Sequence, residues 1–548
     1  MKEPQEPSRP LLDEMRRGLL GKLLAPLLII FVVLVLDLSY VARPALVWDE
    51  TYYYPFATEV AAWFAHPTLD EAAVNKAFRE GNAHPPLPLY VMAVTEKLFH
   101  STEDDYLFAL RLASVVEFAA LAVVVYVFVK GAAGAAAGAF AAGLTVFCPR
   151  LFAHSILATY DVPLALFWVA ATAAFYKGMT SRAWAVVSGA LFGLALLTKV
   201  NAFLLPVALW PWGIYYFRGK SVRAILSMCV IGPTVFFAGW PWLWLHPLRN
   251  FAEYIADKFP PGVLPSFLTS ATGTASVAWR EAMPTLYFGN ASPSGPPWHY
   301  PFVITLITMP LAALFGSVLS GLSAKREKAS RPLPALLWWS VLVQLAVFAF
   351  VMKPFDGERL FLPVLPLVAM AAGMGLAWIA KKGIPLAAVA VVVSLVSPAA
   401  EFFVYEPYGM SYFSPAVGGL PGAERLGMEV TYYGEAVDPA AFAAVNSRAR
   451  EGQRIAYGPM FKKLPWRMPL EFMRFGFLRV KLAPVSPAED WDYLIFVNRG
   501  GSITDADKAA LAKGTVIHEN RLLGVTLSEV LERRGEAQRE TGNASGQR

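Results

Sequence analysis

The chain is written in two patterns. Over residues 1–402, apolar runs near the roughly 20 residues needed to cross a bilayer recur eleven times, at 22–42, 107–129, 132–149, 161–176, 183–198, 201–217, 224–245, 301–322, 334–352, 360–380 and 384–402. This predicts a polytopic α-helical membrane protein with about eleven spans, several of them short and proline-flanked. The first run ends without a small-residue cleavage site and reads as an anchor. The Gly/Ala-rich stretch 131–143 reads as close helix packing. Beyond residue 403 the pattern changes. Short β-like runs at Arg454–Tyr457, Tyr493–Val497, Val516–His518 and Gly524–Leu527 alternate with helical periodicity. They predict a soluble α/β domain over 403–535, followed by a disordered tail at 536–548.

One apolar run decides the topology. His84-Pro85-Pro86-Leu87-Pro88-Leu89-Tyr90 opens a stretch that ends near Phe99 and contains Glu96 and Lys97. It is short and proline-rich, and reads as an amphipathic helix lying in the interface. With that reading, 17 of the 29 Lys/Arg residues of 1–402 fall in short inward loops, as the positive-inside rule requires. An odd number of spans then puts the C-terminal domain outside. Two long loops, 43–106 (with interfacial helices) and 246–300, lie on the same outer side.

Composition agrees. The 548 residues are 56% hydrophobic and 16% charged, against a usual quarter charged. The charge is unevenly spread: residues 403–548 carry 18 Lys/Arg and 17 Asp/Glu, a soluble composition. The two cysteines, Cys148 and Cys229, cannot build a disulfide framework or a thiolate zinc site. A net charge of +6 over this length gives no reason to expect nucleic acid. The C-terminal domain has no nucleophile motif, GxGxxG or metal spacing, and reads as a lid or acceptor-docking module.

The scarce charges at the outer ends of the spans carry the candidate chemistry. They are Asp49 and Glu50 after the first span, His84 before the interfacial helix, and Asp161 at the start of the fourth span. Lys199 lies between the fifth and sixth, His299 and Tyr300 before the eighth, and Lys353 and Arg359 before the tenth. Lys199, Lys353 and Arg359 can neutralise a lipid phosphate. Asp49, Glu50 and Asp161 supply general-base or metal-ligand capacity. His84 and His299 can donate to phosphate or join a divalent ion. Such a mixed cluster suits transfer of a group from a lipid phosphate to an acceptor hydroxyl, since the acceptor loses a proton while the leaving phosphate gains charge. Asp356 and Glu358, in the same stretch, read as a solvated turn.

These residues sit in motifs that resemble the protein O-mannosyltransferase superfamily of GT-C glycosyltransferases, which includes the aminoarabinose transferases acting on lipid A. The matches run in order: Trp48-Asp49-Glu50, His84-Pro85-Pro86-Leu87, Arg111-Leu112-Ala113-Ser114, Tyr160-Asp161-Val162-Pro163-Leu164, Gly193 to Lys199, Pro297-Trp298-His299-Tyr300-Pro301, Asp356 to Pro363, and Tyr412 to Gly419. The resemblance implies an inverting transfer of a sugar from a polyprenyl-monophosphate donor, on the extracytoplasmic face of a bacterial-type inner membrane, to a protein, lipid or polysaccharide acceptor. It implies Asp49 as catalytic residue, His84 near the phosphate, Asp161 orienting it, and Arg359 or its neighbours holding the donor phosphate. One departure is Ala83-His84, where lipid A transferases carry Glu-Lys. A carry-over of their metal site is weakened, and a divalent cofactor stays open. The alternative reading is a transporter or lipid flippase; the missing inverted repeat speaks against it.

Overall fold

The structure is a computed structural model describing residues 9–80, 84–100, 105–256, 258, 284–292, 295–326, 331–352, 354–432, 434–459, 464 and 466–534. Lys353, most of the second long loop and the C-terminal tail lie outside these residues.

Each of the eleven apolar segments is helical over most of its length. Among the described residues, five helices are long and apolar enough to cross a membrane, or up to seven when bent pairs are joined. Two expected single spans are broken. Residues 301–322 divide into Tyr300–Thr308 and Leu311–Arg326, bent by 111°. The run 132–149 stops at Val146 and turns by 68° into Pro149–Ser155. The cause is the same in both. Pro310 and Pro149 lack the N–H that would continue a helix, and the preceding residues, Met309 and Cys148, take the extended conformation that proline imposes. The Gly/Ala-rich helix Ala135–Val146 packs as expected: a Cβ on Gly373 would lie 2.5 Å from the Ala137 carbonyl oxygen.

Three helices fill the first long loop: α2 (Glu50–Ala65), α3 (Glu71–Phe78) and α4 (Leu87–Phe99), after α1 (Arg9–Tyr40). The 13 residues of α4 reach only about 20 Å at 1.5 Å each, too short for a bilayer core of about 30 Å. The Leu87 N–H donates to the Leu197 carbonyl at 3.0 Å, tying the start of α4 to the segment that carries Lys199.

The C-terminal unit is built on a five-stranded sheet of order β4-β3-β5-β7-β6. The strands are β3 (Arg454–Gly458), β4 (Ala483–Val485), β5 (Tyr493–Val497), β6 (Gly514–Leu522) and β7 (Val525–Arg533); a small hairpin, β1 (Thr285–Tyr287) and β2 (Asn290–Ser292), lies in the second long loop. Strands β4, β3 and β5 are parallel, while β7 and β6 are antiparallel. The edge strand β4 has no counterpart among the expected strands. It holds Pro484, a residue that a sheet tolerates at its edge. The last apolar helix runs to Tyr405, and Tyr412, Phe413, Leu420 and Met428 share the core of the apolar helices. Residues after 403 therefore share one core with the apolar helices, as do Val525 and Leu527 of β7.

Candidate active site

Asp49 and Glu50 are adjacent and point to different places. Glu50 is fully buried. Its Oε1 accepts from Arg111 Nε at 2.7 Å and the Ala158 N–H at 2.9 Å; its Oε2 accepts from Arg111 Nη2 at 2.7 Å and the Val47 N–H at 3.0 Å. Arg111 also donates to the carbonyls of Val41, Pro44 and Ala45. The carboxylate is saturated, and it locks the loop after α1 onto the helix Tyr106–Ala133. Asp49 stands at the N-cap position of α2 with no side-chain cap bond. Its carboxylate instead meets Arg359 Nη2.

Arg359 is the hub. Its Nε lies 3.0 Å from Asp161 Oδ2 and its Nη1 3.4 Å from Asp356 Oδ2. Asp161 opens the helix Asp161–Gly178 and is fully buried. Its Oδ1 accepts from Lys199 Nζ at 2.6 Å, and His154 Nδ1 lies 3.9 Å from Oδ2. The amide of Asn201 donates to the Leu360 carbonyl at 2.5 Å, holding the Lys199 segment against the Arg359 turn. Asp49, Asp161, Lys199 and Arg359, from four separate apolar-run ends, thus form one buried ion-pair network.

Burial pushes the Asp49 carboxyl up to about 8, helped by the nearby Asp161 and Asp356 carboxylates and opposed by Lys199. His84 is held well below the usual imidazole range by burial, then by Lys258 and Lys199. Its ring lies 5.0 Å from that of Tyr160, which is 4.6 Å from Tyr53. These three rings form an aromatic wall beside Asp49.

The turn at Asp356 and Glu358 is not solvated: the two acids are 6% and 1% exposed. Each faces an arginine brought from elsewhere in the chain. Glu358 Oε2 lies 3.4 Å from Arg150 Nη1, and Asp356 Oδ1 lies 2.7 Å from Arg499 Nη2. Arg499 follows β5 in the C-terminal unit and also donates to the Tyr432 carbonyl at 2.6 Å. Arg150 lies under the rings of Phe413 and Tyr432. Arg150, His154 and Arg499 were not singled out from the sequence. A basic residue bordering an apolar run was the available signal for Arg150; Arg499 gave none.

His299 and Tyr300 take other partners. His299 Nδ1 pairs with the Tyr287 hydroxyl at 2.8 Å and lines a cavity of about 260 Å³ with Phe288, Asn290 and Ser292. Tyr300 is buried and faces the side of Arg150 and Glu358. Among the described residues, no group of three or more His, Cys, Asp or Glu side chains is arranged to hold a metal ion.

Residues 83–242 match the family described as dolichyl-phosphate-mannose-protein mannosyltransferase. That segment contains His84, Arg111, Asp161 and Lys199. Among solved structures, the chain is similar to ArnT from Cupriavidus metallidurans bound to undecaprenyl phosphate, with a TM-score of 0.50 and 16% identity, over 94% of this chain and 99% of that one. The fold is the GT-C fold. The resemblance to the protein O-mannosyltransferase family therefore holds over residues 83–242. The chain is also similar to the archaeal oligosaccharyltransferase AglB from Archaeoglobus fulgidus, in complex with an inhibitory peptide and a dolichol-phosphate. There the TM-score is 0.50 and the identity 11%, over 92% of this chain and 74% of that one. No curated protein matches the chain.

Proposed function

We propose that the protein is an inverting glycosyltransferase that moves a sugar from a polyprenyl-monophosphate carrier to an acceptor hydroxyl at the outer face of a bacterial-type inner membrane. The observation that carries this reading is the buried network in which Arg359 joins Asp49 to Asp161 and Lys199. It juxtaposes a carboxylate of raised proton affinity with two cations. The family match over 83–242 and the GT-C fold support it.

In this reading Asp49 takes the proton of the acceptor hydroxyl as its oxygen attacks the anomeric carbon. The bond from that carbon to the phosphate oxygen breaks on the opposite face, which inverts the centre. The electron pair leaves on the polyprenyl phosphate, and Lys199 and Arg359 neutralise the charge that develops. His84, neutral near pH 7, donates a hydrogen bond to a phosphate oxygen. Lys353, six residues before Arg359 in the sequence, adds a cation. Arg359 has carboxylate partners on three sides, so a donor phosphate must draw it away from Asp49. That exchange frees the base only when the donor is seated. Asp161 orients Lys199 and Arg359, and Glu50 orients Asp49 by locking its loop. The C-terminal unit lies outside the membrane above this site. His299 and Tyr300, on the second loop, contact the acceptor.

The test is the purified protein in lipid nanodiscs with a polyprenyl-monophosphate sugar and candidate acceptors. Product is followed by mass spectrometry and its anomeric configuration by NMR. Transfer with inversion, lost in Asp49→Asn, is expected. Release of sugar lipid across a sealed vesicle with no covalent product would favour the transporter reading instead.

A further inference from the structure

The network around Arg359 does not end in the membrane part. Asp356 is a bridging carboxylate: one oxygen faces Arg359 Nη1 at 3.4 Å and the other faces Arg499 Nη2 at 2.7 Å. Arg499 belongs to the loop after β5, at the carboxyl end of the C-terminal sheet. It is 4% exposed. An arginine buried that deeply is costly unless paired, and Asp356, the Tyr432 carbonyl and the nearby Glu429 and Glu435 carboxylates supply its partners.

The turn that carries Asp356 is clamped. Asp356 has φ +56° and Gly357 φ +67°, two consecutive left-handed residues that a non-glycine residue rarely accepts. A Cβ on Gly357 would lie 3.2 Å from Arg150 Nη1 and 3.3 Å from the Tyr432 ring. The Arg499 loop is itself braced. Glu429 Oε2 accepts the Gly501 N–H at 3.0 Å and the Leu286 N–H at 3.1 Å, tying it to the β1–β2 hairpin of the second long loop. A continuous path of ion pairs and hydrogen bonds therefore runs from that hairpin through Glu429, the 499–501 loop and Asp356 to Arg359 and Asp49.

We infer that Arg499 is a positioning residue for the transfer reaction: by holding Asp356 it sets the aim of Arg359, and so makes docking of the C-terminal unit a condition for an assembled active site. This inference rests on the glycosyltransferase reading above. The physical reason is a competition for one guanidinium. Asp356 shares its charge between two arginines. With Arg499 gone, its whole charge falls on Arg359 and draws it off Asp161, so that it no longer meets the charge that develops on the leaving phosphate.

The experiment compares Arg499→Ala, Arg499→Lys, Asp356→Asn and the Arg499→Ala/Asp356→Asn double variant in the full-length protein. Arg499→Ala is expected to lower kcat about 30-fold with donor KM changed less than threefold, and Arg499→Lys to recover most of that loss. The Arg499→Ala effect should shrink to under threefold in the Asp356→Asn background, which a general loss of folding would not produce. Hydrogen exchange at the peptide spanning 354–362 supplies a readout independent of activity. It should accelerate in Arg499→Ala while the strands β5 and β7 stay protected. Wild-type kcat with unchanged exchange in Arg499→Ala overturns the inference, as do multiplicative losses in the double variant. No transfer by the wild type, with exchange at 354–362 still responding to Arg499, would overturn the glycosyltransferase reading and leave the coupling standing.

Discussion

The carboxylate of Asp49 is ion-paired with the guanidinium of Arg359, so the proposed base and a proposed phosphate-binding cation neutralise one another while no donor is present. Asp49→Asn keeps the shape and removes the proton acceptor. General-base assistance contributes about 10²–10⁴ in rate, so kcat should fall by at least about a hundredfold, while donor KM should fall because Arg359 is released from its pairing with Asp49. A purified-enzyme assay with saturating acceptor checks this. Retained wild-type turnover would remove Asp49 from the chemistry.

Arg359 serves three carboxylates through different edges of one planar fork. A lysine keeps the charge and loses that geometry. Arg359→Lys should therefore raise donor KM by about tenfold, since a point charge cannot pair with phosphate bidentately. Binding of the sugar-free polyprenyl phosphate, followed by intrinsic fluorescence, should weaken to a similar degree.

The ionisation of Asp49 makes activity depend on pH. Burial, Asp161 and Asp356 push its carboxyl up to about 8, and Lys199 pulls the other way. Glu50 and Arg359 also face it. A raised value means that the share of Asp49 present as the Arg359-paired carboxylate, the form that can act as base, grows as pH rises. In the free enzyme, kcat/KM should climb with pH and level off above about 8, with a slope near tenfold per unit on the acid side. Lys199→Met removes an opposing positive charge, so its acid limb should move to higher pH. A profile flat from about pH 6 to 9 would contradict a base of this kind.

Much of this site could be read from the sequence because the bilayer makes charge expensive. A carboxylate or cation at the end of an apolar run stands out, and Asp49, Asp161, Lys199 and Arg359 were found that way. Asp356 and Glu358 are buried although their sequence neighbours are those of an exposed turn. Their partners, Arg499 and Arg150, come from distant parts of the chain, and burial made by tertiary docking leaves no local signal. The broken spans are a different case. Pro149 ends one apolar run and Pro310 lies inside another; run length predicts a single span in each, and the missing proline N–H breaks the helix. Glu50 had the right address and a different task, since no sequence pattern reveals that Arg111 and two backbone N–H groups take up its oxygens.

That task has its own consequence for stability. The Glu50–Arg111 pair is buried on both sides, at 0% and 2% side-chain exposure. Arg111→Ala strands a buried carboxylate and should cost about 3–5 kcal/mol, seen as a marked fall in melting temperature in detergent. Glu50→Gln leaves Arg111 its three carbonyl partners, so its fall should be smaller. Because Glu50 is placed here as a positioning residue, the folded fraction of Glu50→Gln should turn over within about tenfold of wild type. A loss as deep as that of Asp49→Asn, with the fold intact, would return Glu50 to the chemistry itself.

The docking of the C-terminal unit can be loosened without touching the site. On α2, Tyr54 donates its hydroxyl hydrogen to Glu471 at 2.9 Å and accepts from Arg474 Nη1 at 2.5 Å. Both partners lie on the helix Arg467–Arg474, and the first residue of that helix, Arg467, stacks over the Tyr52 ring at 3.7 Å. Tyr54→Phe keeps the ring packed against Phe475 and Tyr106 and removes both hydrogen bonds. Bonds to charged groups are worth about 1.5–3 kcal/mol each, and the exposed Arg474 can turn to water, so the net loss should be about 1–3 kcal/mol. It should fall on docking rather than on the sheet. Limited proteolysis should therefore cut the segment 426–438 faster in Tyr54→Phe, while exchange protection in β5 and β7 is retained. If cutting is unchanged, the α2 contact does not hold the unit in place and the burden rests on Arg499 and Glu429.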